Sequence, residues 1–343
     1  MGLDKISKET FEFSIKNLNN TFSLLPPYSK NNQVTTVTLK RSLTPETHLP
    51  LVTLKPCNPE TISPMKYLIT GSSGQLAKEF ISHFKQSGMD YIAPAEDVLD
   101  ITDSDIVERV FGEYKPDVII NCAAYNAVDA AEQDSTVAFR VNSDAVAILA
   151  AAARKHGARI VHYGSDYVFD GKTDHPNHED SPTNPLNAYG RSKLAGEEAV
   201  IESGADFLHF RLSWVYGNGN QNFFHKLMQW SDNNEVLKVV WDQISVPTYT
   251  EDIVAYTLAA LEKGLTGVYH LTNSGYATRY EMARYFFKCL GKDITIIPVN
   301  SDMFPSPVTR PFFSVMSNKK LTKALGSPIP TWENAVKRFV KQL

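Results

Sequence analysis

Cysteine is scarce in this sequence. Cys57, Cys122 and Cys289 are the three present in 343 residues; they are odd in number, far apart and without any paired spacing. Such a set argues against both a disulfide framework and a zinc cluster. The sequence therefore favours a reducing compartment, and we expect the cytoplasm.

An excess of basic charge is also missing. Lysine and arginine number 34 against 38 acidic residues, for a formal net charge of -4. No basic stripe can neutralise a phosphate backbone, so we expect no nucleic-acid partner. We read no apolar run as long as a membrane span, and the N-terminus lacks the basic-then-apolar order of a secretory signal, so we expect no membrane association.

Residues 1–64 differ in composition from the rest of the chain. They are polar and broken by proline, which favours a poorly ordered N-terminal extension of unknown function. One run in it, Val34 to Lys40, resembles a strand. Because Met65 directly precedes the first strong strand, we expect the natural start there and a folded domain over residues 65–343.

From Met65 onward, short apolar runs alternate with helical stretches. This order predicts an α/β fold with a Rossmann-type, doubly wound parallel sheet. The predicted strands are Lys66–Thr70, Asp90–Pro94, Val118–Cys122, Arg159–Tyr163 and Phe207–Leu212. Beyond Trp214 the pattern is less regular and predicts a smaller α/β substrate lobe over about 214–343, containing a helix over 251–263, a strand over 268–271 and a helix over 279–290.

A glycine turn joins the first strand to the first helix in LITGSSGQLAKEF. Gly71 and Gly74 lack a Cβ, which lets the backbone approach a pyrophosphate beside the amide groups that open the helix. We therefore predict a dinucleotide site that includes Gln75 and Leu76. Ala77 occupies the third position of this glycine-rich motif, where a small residue permits close packing of the helix.

Two later segments are predicted to contact the same dinucleotide. Glu96 or Asp97 ends the second strand, where an acid hydrogen-bonds the ribose hydroxyls, and no neighbouring arginine favours a 2′-phosphate. This gives NAD a slight preference over NADP. After the third strand, Ala123, Ala124 and Tyr125 permit a close backbone approach, although close-packed core alanines would read the same way.

Tyr189 and Lys193 are the predicted reacting pair. They are four apart at the start of a helix, so both project from one face, and a cation beside a phenol brings its proton exchange closer to neutral pH. Ser165 ends the fourth strand, at the edge where such sheets gather ligands, and completes a Ser/Tyr/Lys set. A solvated lysine packed on a surface tyrosine is the default alternative.

A polar loop over 170–186 contains His175, His178, Glu179 and Asp180. Loops of this kind carry such residues for solubility, and no defined ligand shell surrounds them in the sequence. We expect no metal here.

Read together, these motifs resemble the dTDP-4-dehydrorhamnose reductase family of extended short-chain dehydrogenases. The likeness runs in order from about Met65 to the C-terminus and is carried by GSSGQLA, LDITD, NCAAYNAVDAAE, RVN, SDYVFDG, NPLNAYGRSKLAGE, RLSWVYG, NF, VYHLTNSG and RPFFSV. It implies an oxidoreductase in which NADPH or NADH delivers hydride to C4 of dTDP-4-dehydro-L-rhamnose. Tyr189 would supply the proton, Lys193 would tune it, and Ser165 would hold the carbonyl oxygen.

The resemblance also implies further contacts. Asp100, in LDITD, would contact the cofactor. The sugar pocket would be lined by Val128, Asp129, Tyr167 and Trp214. Arg310 would face the diphosphate or the edge of the pocket. A core position for Trp214 and a surface salt bridge for Arg310 stay open as alternatives.

Three alternatives for the function remain open at this point. The chain departs from the family's usual pattern at Ser165, at Ala77 and at Ile244 to Val246, which leaves another nucleotide sugar open as substrate. An epimerase or dehydratase shares the scaffold, but Tyr167 follows Asp166 where dehydratases carry a second acid. A regulatory subunit like the beta subunit of methionine adenosyltransferase keeps the dinucleotide site without turnover. A homodimer also stays open.

Overall fold

The computed structural model describes residues 65–219 and 222–343, and the predicted strand over Val34 to Lys40 lies outside them. The main sheet has six parallel strands in the order β2-β1-β3-β4-β5-β10. These strands are β1 (Lys66–Thr70), β2 (Asp90–Ile92), β3 (Val118–Asn121), β4 (Arg159–Ser165), β5 (Asp206–Leu212) and β10 (Gly267–His270). Because β2 and β3 lie on opposite sides of β1, the strand order reverses at β1, and sheets of this kind bind ligands in the crevice at that point.

Helices cover both faces of this sheet, as its nearly continuous apolar strands require. Side chains of the first and eighth helices share one core with β1, β3, β4 and β5, and side chains of the second and fifth share a second core on the opposite face. The helices are α1 (Gln75–Ser87), α2 (Ser104–Tyr114), α3 (Val128–Gln133), α4 (Thr136–Phe139), α5 (Ala145–His156), α6 (Ala188–Glu202), α7 (Phe223–Asn233), α8 (Thr250–Glu262), α9 (Arg279–Leu290), α10 (Lys319–Leu325) and α11 (Trp332–Val340).

Two elements that the sequence assigned to the smaller lobe belong to the main domain. The strand β10 pairs in parallel with β5 over four residues, so it is the sixth strand of the main sheet. The helix α8 packs against α1 through the same apolar core, with Ile253 and Val254 buried there. Sequence order misled this prediction, because the chain leaves the main domain after β5 and returns to it before β10.

The smaller lobe is built from short strand pairs and helices around its own core. Its strands are β6 (Val215–Tyr216), β7 (Val236–Val240), β8 (Ile244–Ser245), β9 (Thr248–Tyr249), β11 (Ala277–Thr278) and β12 (Thr295–Val299), paired as β6 with β9, β7 with β12 and β8 with β11. Phe224, Phe286, Trp332 and Phe339 fill the space between them and helices α7, α9 and α11.

The segment Thr136–His156 is one helix of 21 residues, with a π turn at Arg140–Asp144 between α4 and α5. It is long and apolar enough to cross a membrane, contrary to our expectation from the sequence. Its buried side chains, including Val146 and Leu149, pack in the core beneath the sheet. The apolar composition of this segment is therefore that of a core helix.

Candidate functional site

The glycine turn lies at the crossover point of the sheet. Gly71 has φ +66°, and a Cβ added to it would lie 2.7 Å from both the Cα and the N of Ala123 at the end of β3. The Gly74 N–H donates to the Gly71 carbonyl at 2.9 Å, and α1 begins directly afterwards. Only glycine fits at position 71 without a collision.

The structure places the neighbouring predicted cofactor residues in different environments. Gln75 donates from Nε2 to the Val215 carbonyl at 3.2 Å, so it bridges the turn and the smaller lobe. Leu76 is buried in the core, which leaves only its backbone to meet a ligand. Glu96 is exposed beyond β2.

Asp100 hydrogen-bonds within its own turn and lies near Arg140, a neighbour that the sequence analysis did not predict. Its Oδ1 accepts from the Thr102 N–H and hydroxyl, both at 2.8 Å, and these hydrogen bonds lower the pKa of the carboxyl. Arg140 Nη2 lies 4.0 Å from Asp100 and donates to the Thr102 hydroxyl at 2.7 Å. A guanidinium therefore lies beside Asp100, while the slight preference for NAD over NADP, which rested on Glu96 or Asp97, stays a prediction.

Asn142, buried in the π turn, connects the loop after β3 to the helix α6. Its Oδ1 accepts from the Tyr125 N–H at 2.8 Å, and its Nδ2 donates to the Tyr125 carbonyl and to Ser192 Oγ, each at 3.0 Å. A Cβ on Gly196 would overlap the Asn142 carbonyl oxygen, so the two helices are in direct backbone contact. The sequence analysis included Asn142 only as part of the RVN motif and gave it no role. The structure places it in a π turn, a feature that often marks functional sites.

The predicted reacting residues all lie at or beside the carboxyl end of β4. Tyr189 Oη donates to Asn126 Oδ1 at 3.2 Å, and Lys193 Nζ donates to the Tyr163 carbonyl of β4 at 2.6 Å. Ser165 Oγ donates to Asp166 Oδ1 at 3.3 Å. All three are buried, which excludes the alternative of a solvated lysine on a surface tyrosine. The partner Asn126 was missed by the sequence analysis.

The start of α6 is fixed by polar contacts on either side of Tyr189. Asn187 accepts from the Gly190 N–H at 2.8 Å and donates to the Thr309 carbonyl at 2.9 Å. Glu132 accepts from the Ala188 N–H at 2.7 Å. These contacts satisfy amide groups that a helix otherwise leaves open, and they fix where the phenol points.

Burial is the largest influence on the pKa values of the reacting pair. Burial raises the pKa of Tyr189, Asp166 and Tyr167 raise it further, and hydrogen bonding by Ser165 opposes them. Burial lowers the pKa of Lys193 to about 8, against an opposing effect of Glu197. Desolvation is therefore the largest influence on the pKa of the phenol, and the expectation that Lys193 brings it toward neutral pH stays a prediction. A phenol that keeps its proton is suited to donate it.

Asp166 is a buried carboxyl surrounded by serine hydroxyls. Its Oδ2 accepts from Ser314 at 2.5 Å, from Ser245 at 2.8 Å and from Ser213 at 3.2 Å, and its Oδ1 accepts from Ser165. Burial raises its pKa while these hydrogen bonds lower it. The serines come from both lobes, so this carboxyl joins the end of β4 to the smaller lobe.

The predicted sugar-pocket residues lie beside Tyr189. The Tyr167 and Tyr189 rings meet edge to face with centroids 5.5 Å apart, and Val128 packs in the same cluster. Asp129 Oδ1 accepts from Arg310 Nη2 at 2.7 Å. Arg310 therefore pairs with another predicted pocket residue, at the margin of the cluster.

Trp214 forms the wall of a cavity of about 350 Å³ in the smaller lobe. Its φ of +39° is rare for a residue other than glycine. The Arg279 guanidinium stacks 3.8 Å from the centroid of its ring, and burial lowers the pKa of Arg279 to about 10, so it remains a cation. Phe223 and Lys226 also line this cavity. Arg279 and Lys226 were not found from the sequence.

No group of three or more His, Cys, Asp or Glu that could hold a metal ion occurs within residues 65–219 and 222–343. In the loop considered above, His175 pairs with Asp174 at 2.9 Å. Glu179 is used internally, because its Oε1 accepts from the His270 N–H at 2.9 Å.

A parallel sheet with a glycine turn at its crossover, and a buried serine, tyrosine and lysine at the end of β4, defines a Rossmann-fold NAD(P)-dependent oxidoreductase. Comparison with known families makes this specific. A family model described as the RmlD substrate binding domain matches residues 65–343, and the chain belongs to that family.

Curated relatives and solved structures agree with this assignment. A dTDP-4-dehydrorhamnose reductase of Burkholderia thailandensis is 37% identical over 296 residues, covering 81% of this chain and 99% of the relative. The spore coat polysaccharide biosynthesis protein SpsK of Bacillus subtilis is 35% identical, covering 81% and 97%. The crystal structure of dTDP-4-dehydrorhamnose reductase from Bacillus anthracis in complex with NADP superposes with a TM-score of 0.79 at 31% identity, covering 82% and 100%. The predicted fold class and family are confirmed.

Proposed function

We propose that this chain reduces the C4 keto group of dTDP-4-dehydro-L-rhamnose to give dTDP-L-rhamnose, with NADPH or NADH as the reductant. The observation that carries the proposal is the placement of Tyr189 and Lys193 on the face of α6 that meets the carboxyl end of β4, beside Ser165. Its relatives of similar length are named as reductases of such sugars.

The crevice fits a dinucleotide by its shape. Gly71 lets the turn pack directly against the backbone of Ala123 at the crossover between β1 and β3, and α1 begins just beyond it without a side-chain cap on its first amide groups. When bound, the nicotinamide supplies the hydride. We assign Gly74, Gln75, Ala123, Ala124 and Tyr125 to the surrounding contacts.

Residues of this chain then stabilise the carbonyl oxygen and supply the proton that it takes up. As hydride reaches C4, the carbonyl electron pair moves onto the oxygen, and Ser165 Oγ donates a hydrogen bond to it. Tyr189 Oη gives its proton to that oxygen, forming the new hydroxyl, and the phenolate is reprotonated from solvent. Lys193, as an ammonium, stabilises the phenolate while it exists and holds the ribose hydroxyls.

The nucleotide part of the substrate is assigned to the side of the crevice that faces the smaller lobe. Arg279 and Lys226 bring two cations to the cavity beside Trp214, and cations with aromatic walls suit a diphosphate and a base. We assign the sugar to Val128, Asp129 and Tyr167, with Arg310 at its edge. We assign residues 65–343 to the reductase domain and place its activity in the cytoplasm.

A direct assay tests this function. NADPH and NADH oxidation would be followed by absorbance with dTDP-4-dehydro-L-rhamnose and with a panel of other 4-keto sugar nucleotides. We expect the rhamnose precursor to give the highest kcat/KM. A higher kcat/KM with another 4-keto sugar nucleotide would make that compound the assigned substrate. Binding of NADPH or NADH without its oxidation by any of these sugars would favour a regulatory subunit.

A further inference from the structure

A buried ion cluster lies beneath the helix that carries the reacting pair. We call Glu197, Arg211 and His209 the Glu197 cluster. The Glu197 carboxylate accepts from Arg211 at both oxygens, at 2.6 and 2.9 Å, and His209 Nε2 lies 3.1 Å from Oε2. None of the three is more than 4% exposed. Burying such a cluster is costly, and this one lies next to the active site rather than at the surface.

Lys193 stands one helical turn before Glu197 on the same face of α6. It is 3% exposed, and its Nζ donates to a neutral carbonyl, that of Tyr163. Within the part of the chain that the structure describes, no carboxylate lies within 4 Å of this ammonium. The ammonium is therefore desolvated without a direct counter-ion, an arrangement that favours loss of its proton.

Among residues 65–219 and 222–343, the charged and titratable groups that interact with Lys193 include His162 of β4, His209 of β5 and Glu197 of its own helix, and Tyr189 precedes it by one turn of α6. Burial lowers the pKa of both histidines, so at neutral pH they carry no charge that could stabilise a cation. Glu197 is the one anion among these neighbours, and Arg211 of β5 stands directly behind it.

We propose that Glu197 is a positioning residue for the reduction: it supplies the buried negative charge that keeps Lys193 an ammonium, and Arg211 holds that charge in place through two hydrogen bonds. The inference rests on the proposed function, because it concerns the same lysine. It adds a residue outside the Ser/Tyr/Lys set that touches neither substrate nor cofactor.

The direction of the effect follows from the charges. Burial already lowers the pKa of Lys193 to about 8, and Glu197 acts against that decrease. Removing the negative charge leaves Lys193 and Arg211 as two buried cations without the carboxylate that pairs with Arg211. The lysine then loses its proton at a lower pH, and the activity that depends on the ammonium is lost as pH rises through that lower value.

The test is the pH profile of kcat/KM in Glu197→Gln, which keeps the shape of the side chain and removes its charge. We expect the basic limb to move to lower pH by about one unit, since side chains one helical turn apart have Cβ atoms about 5–6 Å apart and an opposite charge at such a range shifts a pKa by about one unit or more. Activity would recover toward the wild-type value at acidic pH. A folded variant whose basic limb matches that of the wild type overturns the proposal.

Two further variants separate charge from packing. His209→Gln disturbs the same cluster but leaves the Glu197 charge, so its basic limb should match that of the wild type. Glu197→Asp keeps the charge while changing the size, and it should also keep the wild-type limb. If Glu197→Gln fails to fold, Glu197→Asp decides alone, and a lowered limb in this folded variant counts against the proposal.

Cofactor binding distinguishes this inference from the proposed function. Lys193 is assigned to the ribose hydroxyls, so NADPH affinity, measured by fluorescence against pH, should weaken at a lower pH in Glu197→Gln than in the wild type. That shift can appear even if no sugar nucleotide is turned over. If the wild type turns over the sugar nucleotide, and Glu197→Gln has the same pH profiles of NADPH binding and of kcat/KM, the reductase assignment stands and the role of Glu197 is rejected.

Discussion

Replacing Tyr189 with phenylalanine removes one oxygen atom from the proposed site. The ring stays, so its edge-to-face contact with Tyr167 is kept. The hydrogen bond lost is the 3.2 Å bond to Asn126 Oδ1, and Asn126 is exposed, so water can replace the donor. We expect a loss of unfolding free energy of about 1 kcal/mol or less.

The loss of activity should be far larger than the loss of stability. A positioned proton donor contributes roughly 10²- to 10⁴-fold to a rate, which corresponds to about 3–5 kcal/mol of barrier. Ser165 and Lys193 remain, and the phenol is assigned no contact with the pyrophosphate turn at Gly71. Cofactor affinity should therefore change little while kcat falls.

The assay combines NADPH oxidation with the keto sugar, cofactor titration by fluorescence and thermal unfolding. Tyr249→Phe is the matched control: it removes a hydroxyl bond of 2.8 Å, to Gln342, from a buried ring in the smaller lobe, and it should keep wild-type turnover. Near wild-type kcat in Tyr189→Phe would refute the role of the phenol, and an equal loss in both variants would show that the effect is structural.

Three further outcomes follow from the geometry. Gly71→Ala should weaken NADPH binding at least about tenfold, since its Cβ would collide with Ala123. Gly88→Ala is the control, because Gly88 has the same φ of +66° but open space around an added Cβ. This variant should lose only stability, about 1–2 kcal/mol of unfolding free energy. Asp166→Ala removes the carboxylate to which four serine hydroxyls donate. It should lower the free energy of unfolding, measured by denaturant titration, by about 3 kcal/mol or more. A loss under about 1 kcal/mol would contradict the stabilising role of this buried network. In the wild type, kcat/KM should decline as pH rises through about 8, where the Lys193 ammonium loses its proton, and a profile flat to pH 10 would contradict this.

The parts of this protein that the sequence determined are local. The glycine turn follows from backbone freedom at Gly71, and the face shared by Tyr189 and Lys193 follows from helical spacing. The alternation of strand and helix was enough to predict a parallel sheet, because strands buried on both faces must be apolar nearly throughout. Each of these inferences needs only a few consecutive residues.

Tertiary structure decided what depends on distant residues meeting. Sequence order placed β10 in the smaller lobe, whereas hydrogen bonding to β5 places it in the main sheet. Asn142 reaches across from the π turn, and Arg140 reaches Asp100 from the same turn. No periodicity or motif spacing encodes such contacts, because they depend on how elements separated in sequence pack together.

The protonation of the site is the clearest case of this division. Two residues four apart suggested a lysine that lowers the pKa of a phenol, and burial adds a separate effect: desolvation raises the pKa of Tyr189 and lowers that of Lys193. The sequence specifies which groups stand on one helical face. How deeply the sheet buries them, and which carboxylate lies behind them, is decided only when α6 packs against β4 and β5.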